Sequence, residues 1–141
     1  MGMRVQIDDA RRFVQGRTSG ALAVVDGDGY PHVSQVAFVW DHDMIRISVT
    51  QGRVKTRLLR AHPKATLHVL GDDVWHWVSL VGDVTLSAIA TSPDDPTCDE
   101  LLRTYEAVAG AHDDPDEFRA AMVADHRVVL RLDVQQVYGQ L

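Results

Sequence analysis

Four cations, Arg53, Lys55, Arg57 and Arg60, fall within eight residues, directly after a segment ending Ser48-Val49-Thr50-Gln51-Gly52. The stretch from Arg53 onward reads as the start of a helix. A helix N-terminus already carries about half a positive charge from its aligned peptide dipoles, so each cation there costs about 0.3–1 kcal/mol unless an anion lies among them. A bound phosphate is the simplest relief. It accepts from the free N–H groups of the first turn, from Ser and Thr hydroxyls and from the cationic heads. Ser48, Thr50, Arg53, Lys55 and Thr56 are therefore candidate phosphate ligands, and Gly52 lets the backbone approach the anion closely. Arg57 and Arg60 lie further in, as surface ion-pair partners or contacts to an anionic tail. The chain as a whole carries a net charge of −6, so the basic cluster stands out locally. Arginine outnumbers lysine twelve to two, which weakens any argument from arginine abundance alone.

The other reactive side chains do not assemble into a catalytic set. The seven histidines show no ligand spacing, and His68 and His76, on neighbouring predicted strands, lack the further ligands that a metal site needs. Asp26 and Asp28 hint at a calcium loop, but Pro31 stands where the glycine belongs and Ala37 where the final glutamate does. Cys98 sits among acids, which raise a thiol's pKa and make it a poor nucleophile. There is no Gly-x-Ser-x-Gly elbow and no glycine-rich dinucleotide fingerprint. A redox cofactor would remove the need for such a set, because it carries the hydride chemistry itself.

Elements must hold the basic turn in place. The 141 residues fit one domain, 1–141, and 45% hydrophobic residues suffice for a core. No apolar run reaches the ~20 residues of a membrane span. The N-terminal Met1-Gly2-Met3-Arg4-Val5-Gln6 stretch has no secretory apolar segment, and the single cysteine permits no internal disulfide, so a cytoplasmic location is expected. The acidic balance argues against nucleic acid. Asp94 through Glu117 is acid-rich and reads as solvated helical faces and caps.

A short helix is predicted over Asp8–Gln15, capped by Asp8 or Asp9, with Ala10, Phe13 and Val14 on one face and Gly16 as its stop. Strands follow at Gly20–Asp26 and Tyr30–Trp40, joined by the Asp26-Gly27-Asp28-Gly29 hairpin turn. Asp41-His42-Asp43 turns into a Met44–Thr50 strand. The basic helix runs from Arg53 to His62, ended by Pro63. Ala65–Gly71 and Trp75–Ile89 form a long hairpin about Asp72-Asp73. Two helices open at Ser92-Pro93 or Asp95-Pro96 and at Asp114-Pro115, the second with Glu117 in capping-box position. Arg127–Tyr138 is the last strand. Short turns between strands make them antiparallel, and six such strands favour a closed or half-closed barrel. On the predicted Trp75–Ile89 strand, Trp75 and Trp77 share a face, either in a core or dimer interface or as a wall of a pocket.

Taken in order, several segments resemble one family. These are Asp28-Gly29-Tyr30-Pro31-His32-Val33-Ser34, Ser48 through Arg60, Ala121-Met122-Val123 and Val137-Tyr138-Gly139. The chain resembles the split β-barrel flavin and deazaflavin oxidoreductases, the pyridoxamine 5′-phosphate oxidase-like superfamily, and is most similar to the actinobacterial branch that uses coenzyme F-420. The resemblance implies a mainly β fold with helices (α+β), a six-stranded antiparallel split β-barrel. It also implies a homodimer with cofactor sites at the interface. Carried over residue by residue, it places the cofactor phosphate at Arg53 and Lys55 with Ser48, the ring at His32 and Gln35, and a pocket-closing aromatic pair, supplied by the other subunit, at Trp75 and Trp77. The candidate proton donors are His32, a tyrosine or water, with His32 the first choice. The implied activity is hydride transfer from reduced F-420 to an unsaturated or conjugated small-molecule acceptor. The alternatives are an FMN-binding oxidase or reductase, and a non-catalytic binder of flavin, deazaflavin or haem. The closing Val137–Leu141 stretch lacks the Arg-Leu motif of the pyridoxamine phosphate oxidases, which speaks against vitamin-B6 phosphate as substrate.

Overall fold

Alternating burial along the strands sorts their side chains into an inward and an outward face, and that sorting decides which predicted residues can meet. The structure is a computed structural model describing residues 4–42 and 44–141. The reading of the leader at Met1–Met3, and Asp43 in the second turn, lie outside the described residues. In chain order the elements are α1 (Ile7–Val14), β1 (Ser19–Val25), β2 (Pro31–Ala37), β3 (Val39–Asp41), β4 (Met44–Thr50), α2 (Val54–Ala61), β5 (Lys64–Leu70), β6 (Trp77–Leu86), α3 (Pro96–Ala109), α4 (Pro115–Ala124) and β7 (Arg127–Gln140). The strands form one curled antiparallel sheet in the order β2-β1-β5-β6-β7-β4-β3, a split barrel.

The sheet has seven strands rather than six, because the predicted Tyr30–Trp40 strand is two. Phe38 divides it. Its N–H donates to the Thr18 carbonyl at 2.9 Å, and its side chain is buried. Before Phe38, β2 pairs with β1 at one edge of the sheet; after it, β3 pairs with β4 at the other. The covalent link at Phe38 thus brings the two edges together. Apolar alternation continues through Val36, Phe38 and Trp40, so the pattern carries no mark of the crossing.

Inward residues of β1, β4, β5, β6 and β7, among them Leu22, Ile47, Leu67, Leu80 and Leu130, form the main core. Ala10 and Val14 of α1 seal it, as predicted. The cap of α1 is Gln6 rather than Asp8 or Asp9. Asp9 occupies the third helical position, where its carboxylate accepts from the Gln6 N–H at 3.1 Å. Gly16, with φ 81°, ends the helix, and Gly29, with φ 87°, supplies the left-handed residue of the first hairpin.

The outward faces of β4 and β7 are covered by α3 and α4. Asp95 and Asp114 cap these helices, accepting from the N–H groups of Cys98 at 2.8 Å and Glu117 at 3.1 Å, each followed by a proline. Arg46 and Arg131 stand opposite each other across β4 and β7, a repulsive pair by itself. Buried Glu100 of α3 resolves it, accepting from both Nε atoms at 2.9 Å and from Arg131 Nη2 at 2.6 Å. The Arg131 hydrogen bond, against the opposing effect of burial and with help from Arg46, holds the Glu100 carboxyl below the usual carboxylate range. This bridge fixes α3 above the sheet.

Trp75 does not lie on a strand, and it shares no sheet face with Trp77. The Asp73 carboxylate accepts from the Trp75 N–H at 2.8 Å and meets His76 Nδ1 at 2.7 Å. Those bonds hold residues 71–76 as a loop, so β6 begins only at Trp77. Among the described residues no helix is long and apolar enough to cross a membrane.

Candidate functional site

The seam where β2 approaches β4 opens into a groove of about 380 Å³ on the outer surface. Gln35 comes from β2, Ser48 and Thr50 from the end of β4, and Arg53 and Lys55 from the turn into α2. Five of the residues expected from the sequence therefore converge on one cavity. Ser48 and Thr50 face it because they alternate with Ile47 and Val49, which are buried in the core.

The start of α2 suits an anion. Arg53 is the N-cap and makes no side-chain cap hydrogen bond, and no acidic residue occupies the first turn. The first-turn N–H groups of such a helix have no partner within it. Lys55 is half-buried, and its pKa lies below lysine's usual 10.5. Burial is the main cause, followed by the positive charges of Arg53 and Arg127. An ammonium held at that cost among other cations is neutralised best by an incoming anion.

Arg127 is a further cation of the groove that no local sequence pattern singles out. It opens β7 opposite Thr50, far away in sequence, and lines the same groove. Its Nη1 lies 3.5 Å from Ser48 Oγ, and its buried Nε has no hydrogen-bond partner among the described residues. Only the β4–β7 register brings it there, and its sole sequence signal is a charge at the start of the last strand. α3 also lines the groove, through Thr104, Tyr105 and Val108. The Tyr105 ring is packed against His112 and Phe118, with centroids 5.0 and 5.2 Å away.

Four predicted residues stand elsewhere. Thr56 is fully buried, and its hydroxyl donates to the Thr50 carbonyl at 2.8 Å. It ties α2 to β4 and has no hydrogen left for a ligand. His32 and Gln35 are separated by an odd number of residues on a strand, so they point to opposite faces. Gln35 faces the groove, whereas His32 shares the inward face with Ser34 and Val36. Buried His32 Nδ1 and Ser34 Oγ have no partner among the described residues. Trp75 is exposed on its loop, and Trp77 packs between His68 and Tyr138 beside a different cavity, formed with α1 and the end of β7.

Cys98 is buried under α4, and burial first, then the hydrogen bond and charge of Asp95, push its thiol up to about 11. It supplies no nucleophile.

The profile of the family described as pyridoxamine 5′-phosphate oxidase matches residues 7–141. Among solved structures, an F420 reductase is 23% identical, with a TM-score of 0.68, over 90% of this chain and 94% of that one. The haem storage protein HutZ from Vibrio cholerae is 17% identical, with a TM-score of 0.69, over 98% and 96%. A pyridoxamine 5′-phosphate oxidase-related, FMN-binding protein from Nostoc punctiforme is 16% identical, with a TM-score of 0.63, over 97% and 84%. At these identities the structural likeness carries the fold alone.

Proposed function

From the chain's membership of the pyridoxamine 5′-phosphate oxidase family, we propose that it is an oxidoreductase using a phosphorylated flavin-type cofactor, the deazaflavin F-420, to reduce an unsaturated or conjugated organic acceptor. One observation carries the reading. Arg53, Lys55 and Arg127 converge on a helix start without acids in its first turn, in a chain of net charge −6, and Arg127 Nε is buried without a hydrogen-bond partner among the described residues, the Asp125 carboxylate lying 3.9 Å away. These residues fit a phosphate: two guanidinium groups, an ammonium, two hydroxyls and the free N–H groups of α2 supply donors with no competing carboxylate in the first turn.

When bound, the cofactor supplies hydride chemistry that the side chains cannot perform. The protein's part is to hold the phosphate at Arg53, Lys55, Arg127, Ser48 and Thr50, with Gln35 also lining the groove. Ser48 is oriented by the Arg127 contact, and α3 lines the groove as well. The same anchor would accept the phosphate of FMN, and the flavin and deazaflavin rings differ in their reactivity with oxygen.

The reading includes a homodimer. Val25, Val33, Leu70 and Tyr138 are exposed apolar side chains on the outward face of the sheet, and such a patch suits a second copy. Trp75, 68% exposed and presented on its Asp73-braced loop, is placed to reach a partner subunit.

Titrating the apo-protein with F-420, FMN and haem side by side, with light scattering on the same samples, tests this. Saturable binding of F-420 by a dimer, followed by enone reduction with reduced F-420, is the expected result. Binding of haem alone, or tight F-420 binding without turnover of any acceptor, would replace the oxidoreductase reading with that of a binding protein.

A further inference from the structure

The phosphate groove accounts for Gln35 but leaves the residue two strands away unexplained. Ala21 of β1 pairs with Gln35 on one side and with His68 of β5 on the other. These three residues form a row across the outward face. Strands lie about 4.8 Å apart, so Gln35 and His68 stand roughly 10 Å apart at the backbone, with only the Ala21 methyl between them. A cavity of about 430 Å³ covers this row and adjoins the phosphate groove through Gln35, which lines both.

Two contacts fix the His68 ring. Its Nδ1 lies 2.9 Å from the hydroxyl of Ser79, a buried residue on β6 with no other side-chain partner among the described residues. Its ring leans on Trp77 at 5.2 Å. The imidazole is thus fixed on two sides, while Nε2 makes no hydrogen bond among the described residues. A histidine whose first nitrogen is engaged presents its second as a directed donor or acceptor.

Resting on the phosphate reading above, we infer that His68, and not His32, is the side chain that meets the flat heteroaromatic end of the cofactor, with Ser79 and Trp77 orienting it. A molecule with its phosphate among Arg53, Lys55 and Arg127 extends past Gln35 into the cavity that His68 borders. There Nε2 hydrogen-bonds a carbonyl or ring nitrogen at the edge of the ring system, and Ala21 leaves room for a planar group to lie against the sheet. His68 is a positioning residue: it sets where the ring sits and its electronic surroundings.

The test separates the two ends of the cofactor. FMN and riboflavin, and F-420 with its phosphate-free riboflavin-like fragment, are titrated against wild type, Lys55→Ala, His68→Phe, His68→Gln and Ser79→Ala, following affinity and the absorbance maximum of the bound chromophore. His68→Phe should weaken the phosphate-bearing and phosphate-free members of a pair by the same factor, about three- to tenfold, the worth of one hydrogen bond. It should also shift the absorbance maximum. His68→Gln, which can place an amide nitrogen near the Nε2 position, should restore much of both. Ser79→Ala should produce the spectral shift with a smaller affinity loss. Lys55→Ala should weaken only the phosphate-bearing member. Wild-type affinity and spectrum in a folded His68→Phe protein overturn the inference. An unchanged affinity in Lys55→Ala instead overturns the phosphate assignment, and the riboflavin arm still reads His68. Failure of all four probes to bind wild type overturns both.

Discussion

Arg127 lies directly opposite Thr50 in the β4–β7 ladder, and its Nη1 reaches Ser48 Oγ at 3.5 Å. A third cation therefore joins Arg53 and Lys55 from the opposite end of the sequence. Arg127→Ala should weaken cofactor binding by about 1.5–3 kcal/mol, the worth of a hydrogen bond to a charged group, as should Lys55→Ala and Arg53→Ala singly. Fluorescence titration checks this, with the phosphate-free fragment as control. Equal losses for both ligands would count against a phosphate contact.

Lys55 gives the site a pH dependence. Its pKa is lowered by burial and then by Arg53 and Arg127, and an anion prefers the protonated form. Affinity should therefore be full at neutral pH and decline as pH rises through a range that begins below lysine's usual 10.5. Lys55→Arg, which stays charged, should remove the decline. Without ligand the sign reverses. The unfolded chain holds the Lys55 proton more tightly than the folded one, so apo-protein stability should rise with pH across the same window.

Glu100 links α3 to the sheet. Its carboxyl is held below its ordinary value, so its contribution is present above the unfolded pKa and is lost as pH falls through the folded one. Glu100→Gln should destabilise the protein at neutral pH by about 3 kcal/mol, because it leaves Arg131 facing Arg46 with only Asp41, 3.4 Å from Arg46 Nη1, to offset the pair. It should also flatten the acid limb of the stability profile. Chemical denaturation between pH 3 and 7 reads both effects.

The two tryptophans of the β5–β6 hairpin should separate by assay. Trp75→Ala should leave monomer stability within about 0.5 kcal/mol of wild type, as expected for an exposed side chain, while raising the dimer dissociation constant. Trp77→Ala should lower the melting temperature, because it removes the partner of His68 and Tyr138.

Cys98 should resist alkylation in the native protein. It is buried, with a thiol pushed up to about 11, so a maleimide should label it only under denaturing conditions. Fast labelling at pH 7 without denaturant would show that α4 opens.

The sequence by itself determined what depends on neighbours along the chain. Strands and helices followed from periodicity. The Asp-Gly turn, the prolines after Asp95 and Asp114 and the basic turn at Arg53 followed from local backbone and dipole chemistry. Ser48, Thr50, Arg53 and Lys55 were legible as one site because they lie within a single strand–turn–helix. Tertiary structure decided the rest. The crossing at Phe38 left no trace in the alternation, because a chain passing between sheet edges can keep its inward and outward rhythm. Strand parity separates His32 from Gln35, and the register across β1 sets His68 beside Gln35 instead. Arg127 joins the basic turn through a ladder between residues distant in the chain. The Asp73 side chain keeps Trp75 off the strand whose start the alternation predicts. Each of these depends on pairings between strands distant in sequence or on a side chain bonding to backbone, and periodicity within one segment encodes neither.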